Sequence, residues 1–214
     1  MRLLSLVVDV AHDLGNLGDD GRGHIGLQKM LGKIDLVMGS FSKTFASNGG
    51  FVACNSPAVR EYLRFYSAPA TFSNALSPVQ AAVVLKAFEI IQSKQGRTLR
   101  NTLMTNILSL RRELQEAGLE HYGDPSAIVC VKVGTEGLAR LVSKRLPELG
   151  LVANLVEFPA VPKGAARIRM QVMAHHTEQN ISDAVQVLKT ARLQAEQEYE
   201  SLAETTADTQ RSAA

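Results

Sequence analysis

Tryptophan is absent from this chain, and phenylalanine and tyrosine together supply only 5% of its 214 residues. Proteins that hold single-stranded nucleic acid stack bases on aromatic rings, so the scarcity argues against that class. Charge of one sign is also lacking. The 23 Lys and Arg stand against 21 Asp and Glu, for a formal net charge of +2, too little to draw the chain to nucleic acid or an acidic membrane surface. There are two cysteines, Cys54 and Cys130, and neither has metal-ligand spacing. They sit in the apolar runs FVACN and IVCVKV, read as small hydrophobes in buried strands, and suit a reducing cytoplasm. Long hydrophobic runs are missing too. The stretch from Leu3 to Val8, broken only by Ser5, is too short to cross a membrane. It also lacks the small-residue cleavage site of a signal peptide, and Asp9 follows at once. The expectation is a cytoplasmic protein with no integral membrane segment.

What is present is the composition of a soluble globular protein, with 45% hydrophobic and 21% charged residues. The length suits one large domain or two small ones. In the first half, LLSLVVDV, DLVMGSF and GFVACN are rich in Val and Leu and do not alternate apolar with polar. Such runs predict strands buried on both faces, as in a parallel sheet covered by helices. Ser56-Pro57 and Ser77-Pro78 each place a capping hydroxyl before a first-turn proline, and so open helices over VREYLRFYS and VQAAVVLKAFEIIQSK. A further helical pattern runs from Arg97 to Gln115 and stops at Gly118.

The second half changes rhythm. Ile128 to Val133, Leu151 to Phe158 and Arg167 to Val172 read as strands, Glu136 to Leu149 as an amphipathic helix interrupted by Pro147, and Thr177 to Leu193 as a last helix. This βαββα pattern is a small α/β domain. The expected division is 1–96 as part of a large domain, 97–197 as a small C-terminal domain with its linking helix, and 198–214 as a disordered, polar tail.

Chemistry enters through four features in a fixed order. Asp9 and His12 stand at the C-terminal end of the first strand, an edge that faces the ligand crevice in α/β sheets. Gly15, Gly18, Gly21 and Gly23 follow in GNLGDDGRG, a loop whose backbone can approach another object closely. Lys43 lies in GSFSKTFASNGG just after the second strand. Arg167 and Arg169 lie in ARIRMQVMAHH. Taken singly each has a plain reading: a turn former, a surface turn, a solvated charge, and for a histidine such as His24 or His121 a surface or packing residue. In combination they suit pyridoxal 5′-phosphate (PLP), which needs a lysine amine and an acid facing its pyridine nitrogen.

D-x-A-H, then G-x-x-G-x-x-G-R-G, then G-S-F-S-K-x-F and G-G resemble the α-oxoamine synthase family, and TFSNALSP and RIRMQVMAHHT agree further on. These are PLP enzymes of the aspartate aminotransferase fold (fold type I), and include serine palmitoyltransferase, 5-aminolevulinate synthase, 8-amino-7-oxononanoate synthase and 2-amino-3-ketobutyrate CoA ligase. The resemblance implies an α/β chain holding part of the large, mainly parallel sheet domain plus a small C-terminal α/β domain. It implies a homodimer that condenses an amino acid with an acyl-CoA, with decarboxylation, to an α-amino ketone. Lys43 would be the Schiff-base lysine and later the acid/base. Asp9 would pair with the pyridine nitrogen, and His12 with the ring hydroxyl. Ser40 would touch the phosphate, Ser73 and Asn74 would reach the phosphate of the partner subunit's cofactor, and Arg169 would bind the amino-acid carboxylate. Arg167 could share a face with Arg169, but the family motif aligns better with Arg169.

Two departures stand out. Ala46 occupies a position where the family commonly has glycine, which matters if the backbone there needs a positive φ. Family members are also nearly twice as long, so the expectation is the C-terminal portion of such an enzyme, without its phosphate loop and ring-stacking residue. An inactive remnant, a non-catalytic partner subunit and an aminotransferase remain as alternatives.

Overall fold

The computed structural model describes residues 5–212, with side chains as far as Leu202. It forms two compact units, divided along the chain within one helix, between Thr102 and Leu103.

The first unit carries strands β1 (Val7–Asp9), β2 (Leu36–Ser40) and β3 (Gly50–Cys54) and helices α1 (Gly23–Leu27), α2 (Pro57–Tyr66), α3 (Ala68–Phe72) and α4 (Pro78–Gln92). Its sheet has the order β1-β2-β3. β1 runs parallel to β2, with Asp9 opposite Met38, whereas β3 is antiparallel to β2. Within the mainly parallel sheet expected, β3 is thus the antiparallel strand. The connection 41–49 is too short for a parallel crossover, which needs about a dozen residues or more, so β2 and β3 close as a hairpin.

The strands are also less buried than their composition suggests. Leu3 and Leu4 lie outside the described residues, while Leu6, Val7, Met38 and Val52 are exposed. The buried cluster here is small, built on Val10, Ile25 and Ile34, and every residue of β1, β2 and β3 is half-buried or exposed. Cys54 on β3 is accordingly half-buried, and Cys130 in the second unit is no deeper.

Both serine–proline helix starts form. The Ser56 hydroxyl accepts from the Val59 amide, and at α4 Ser77 and Gln80 bond each other's backbone as a reciprocal capping box.

Helix α5 (Lys94–Glu116) leads into the second unit, which holds β4 (His121–Tyr122), β5 (Ile128–Gly134), α6 (Glu136–Glu148), β6 (Asn154–Val156), β7 (Ala166–Gln171) and α7 (Glu178–Ser212). The sheet order is β4-β5-β7-β6, antiparallel throughout. β6 is shorter than the run 151–158 because only Asn154, Leu155 and Val156 pair with β7 and prolines follow at 159 and 162. On β5 and β7 every second residue is buried, which assigns one face to the core. Val129, Val131, Ile168 and Met170 enter that core and meet Ile107, Leu114, Val142, Leu146 and Leu188 from the helices.

The tail from residue 198, expected to be disordered, continues α7 through Ser212. Glu198, Glu200, Leu202, Ala203, Glu204, Ala207, Gln210 and Arg211 supply good helix formers along this stretch. Arg145 of α6 also ion-pairs with Glu198 at the start of that stretch.

Leu114 is completely buried in the second core. Leu114→Ala should cost that unit about 2–5 kcal/mol, read as faster amide hydrogen exchange along β5 and β7. Unchanged protection there would mean that α5 does not support the sheet.

Candidate active site

The turn 41–49 presents Lys43. The Phe41 amide donates to the Gly49 carbonyl at 2.9 Å, Ser47 to Phe41 at 2.8 Å, and Ala46 to Lys43 at 2.9 Å. Phe45 is only 1% exposed and anchors the turn from below, its ring 5.4 Å from Phe41 and 4.6 Å from Phe88 of α4. Lys43 is left in solvent above it. Ala46 has φ +51°, the left-handed region that costs a β-carbon-bearing residue about 1–2 kcal/mol. The sequence departure at this position thus falls where glycine has a physical use.

Asp9 ends β1 exposed, and its Oδ1 accepts from the Ala11 amide at 2.8 Å. It therefore forms a turn, the plain reading, and with its other carboxylate oxygen it retains a second acceptor. Ser40 ends β2, the neighbouring strand. Its hydroxyl lies 2.6 Å from that of Ser42 and also accepts from the Ser42 amide at 3.1 Å. Asp9, Ser40 and the Lys43 turn thus stand together at one edge of the first sheet.

Asn16, which sequence reasoning passed over, joins the parts. Its amide donates to the His12 carbonyl at 2.8 Å and to the Thr44 hydroxyl at 3.4 Å, connecting the His12 turn with the residue after Lys43. No sequence signal marks it, since Asn is common in any loop. Asp13 was missed as well. Its Oδ2 accepts from the His24 amide at 2.7 Å and lies 3.0 Å from the ring Nδ1, which makes His24 a packing residue.

The glycine loop does approach something closely, and that object is the protein itself. A β-carbon on Gly15 would lie 2.8 Å from the Thr44 methyl, and one on Gly23 2.7 Å from the Asp13 carboxylate.

Ser73 and Asn74 are exposed in the segment between α3 and α4. The same segment reaches the Lys43 turn a little later: Leu76 lies 3.3 Å from where a Gly49 β-carbon would be, and the Ser47 hydroxyl donates to the Gln80 carbonyl at 3.2 Å.

Arg169 belongs to the second unit. Arg167 and Arg169 share the face of β7 opposite the core, as period two requires. The structure separates them chemically. Arg167 stacks 4.3 Å from the centre of the Tyr122 ring and donates to the Ala165 carbonyl, whereas the Arg169 Nε is buried without a hydrogen-bond partner. A buried, unsatisfied guanidinium nitrogen is costly, and an anion would relieve it. Cys130 pairs across the strands with Arg169. Burial pushes its thiol above the ordinary value against the opposing pull of Arg167 and Arg169, so it is a poor nucleophile.

The model for aminotransferase class I and II matches residues 3–188. The chain belongs to that family. It is 38% identical over 180 residues to the 8-amino-7-oxononanoate synthase of Trichlorobacter lovleyi, covering 84% of this chain and 46% of the relative. With the 2-amino-3-ketobutyrate coenzyme A ligase of Escherichia coli it shares 34% over 182 residues, 85% of this chain and 45% of that one. With the serine palmitoyltransferase of Sphingobacterium spiritivorum it shares 36% over 201 residues, 92% and 48%. A high-resolution structure of SPT with a PLP internal aldimine superposes with a TM-score of 0.79 at 30% identity, over 89% of this chain and 48% of that one. The chain spans about half the length of the curated relatives it matches.

The expected kinship with the α-oxoamine synthases holds, as does the PLP-dependent fold type I, and PLP is the cofactor that goes with them. The residues present fit that cofactor. A solvent-facing lysine, a carboxylate and a hydroxyl pair converge on one sheet edge. Gly50 lets the backbone close up there, since a β-carbon would fall 2.4 Å from the Gly39 carbonyl.

Ala46→Gly should remove the left-handed strain and raise the stability of the first unit by about 1 kcal/mol, measured as a shift in its urea midpoint. A destabilised variant would show that the methyl group makes packing contacts worth more than the strain.

Proposed function

We propose that this protein condenses an amino acid with an acyl-CoA and releases carbon dioxide, giving an α-amino ketone. The observation that carries the proposal is the meeting of Asp9, Ser40 and the Lys43 turn at one sheet edge, with Asn16 tying the His12 turn to Thr44. The similarity to an 8-amino-7-oxononanoate synthase, a 2-amino-3-ketobutyrate coenzyme A ligase and a serine palmitoyltransferase supports it.

When bound, PLP supplies an electron sink for a carbanion at the amino acid's Cα. Asp9 holds a proton at the pyridine nitrogen, and His12 hydrogen-bonds the ring hydroxyl. Ser40, paired with Ser42, donates to the phosphate. Lys43 takes the proton from Cα and returns it to product. In the second unit Arg169 pairs with the substrate carboxylate through a guanidinium whose Nε has no other partner. The Cα then joins the thioester carbonyl carbon as the C–S bond breaks, CoA leaves as its thiolate and takes a proton from solvent, and the carboxylate departs as carbon dioxide. Ser73 and Asn74 reach the partner subunit's cofactor in a homodimer. Among the described residues no helix is long and apolar enough to cross a membrane, and we place the protein in the cytoplasm. Residues 1–96 serve as the cofactor part and 97–197 as the small C-terminal domain.

Borohydride treatment of the full chain with PLP should fix the cofactor on Lys43, and Lys43→Ala should abolish that adduct. Fixation at another lysine in the variant would refute the assignment. Asp9→Asn should lower CoA release by about a hundredfold or more with little change in folding, because a neutral amide cannot hold the ring proton. Unchanged turnover across a panel of amino acids and acyl-CoAs would remove Asp9 from the site.

A further inference from the structure

Arg100 lies on α5 within the first unit and is only 8% exposed. Both of its recorded hydrogen bonds go to carbonyl oxygens: Nη1 donates to Ile91 and Nη2 to Asp19, each at 2.7 Å. Its Nε is buried without a partner. Burial lowers its pKa from the ordinary arginine value, with Asp20 the strongest opposing influence. Burying a guanidinium against neutral acceptors is costly, so what it holds matters.

The two carbonyls belong to segments that meet behind Lys43. Ile91 lies in the last turn of α4, where carbonyls lack helical partners. Asp19 lies in the glycine loop, which closes on itself through the Gly15 amide and the Gly21 carbonyl at 2.7 Å. Gly15 is wedged against both neighbours. A β-carbon on it would sit 2.8 Å from Thr44 Cγ2 and 2.9 Å from Ile91 Cδ1. Between these parts lies a cavity of about 350 Å³, walled by Leu14, Phe45 and Phe88 beside Arg100. The loop is therefore not packed home by apolar contact alone.

We propose that Arg100 is a positioning residue for Lys43: its two donors clamp the glycine loop to the end of α4, and Gly15 passes that restraint to Thr44. The proposal rests on the reading of Lys43 as the cofactor-bearing lysine.

The test is amide hydrogen exchange on the full chain, resolved to the segments 15–23 and 41–49. Arg100→Met fills the same volume without donors and should speed exchange in both segments by roughly tenfold, with β5 and β7 unchanged. In Arg100→Ala, millimolar guanidinium should restore protection, whereas methylammonium should not. Acceleration confined to 15–23, no acceleration in either segment, or uniform acceleration through β2, β3 and α4 would each overturn the proposal. The first would make Arg100 a loop cap alone, and the last a general stabiliser. Should the methionine variant fail to fold, Arg100→Lys keeps stem and charge but offers one ammonium to two separated carbonyls, and is read by the same criteria. Borohydride trapping of PLP separates the two claims. Several-fold lower yield at Lys43 in the variant supports the proposal. Normal exchange changes with no trapping at Lys43 in the unsubstituted chain support the clamp and overturn the cofactor reading instead.

Discussion

Phe45 turns inward against Phe41 and Phe88 while Lys43, two residues earlier, is left in solvent. The hairpin turn 41–49 depends on that contrast. Burying one aromatic ring fixes the turn's orientation on α4, and the backbone bonds across the turn fix its shape. A long, entropy-rich lysine side chain would gain little from its own contacts. The Lys43 backbone is held instead by the ring two residues on and, through Thr44, by Asn16 of the glycine loop, so the ordering of the turn does not depend on the lysine side chain.

The same division appears around the glycine loop. Four glycines in GNLGDDGRG suggest a cradle for a ligand, yet two of them make room for Thr44, Ile91 and the Asp13 carboxylate. The loop is a packing element behind the turn, held by Asn16 near its start and by Arg100 at its middle, on the Asp19 carbonyl.

In the second unit, alternation along β5 and β7 sends apolar residues into the core and leaves Cys130, Arg167 and Arg169 on the opposite face. Tyr122 occupies Arg167 by stacking. One strand thus carries two arginines of equal periodicity in different surroundings, one stacked on an aromatic ring and the other with its Nε buried and unpartnered.

The sequence by itself determined the helix starts at Ser56-Pro57 and Ser77-Pro78, three of the four strands of the second unit, the place of Lys43 after a strand, and the family, because caps, period-two burial and contiguous motifs are local or ordered properties of the chain. It also exposed Ala46 as a position where the backbone conformation would matter. Only the tertiary structure decided that β3 runs antiparallel, that β4 pairs with β5, that the first sheet is half-exposed, that helix continues past residue 198, and that Asn16 and Arg100 both hold the glycine loop. Those outcomes turn on which segments meet. A buried arginine bonded to carbonyls 81 and 9 positions away along the chain leaves no periodic or motif signal, since its partners are backbone atoms that every residue possesses.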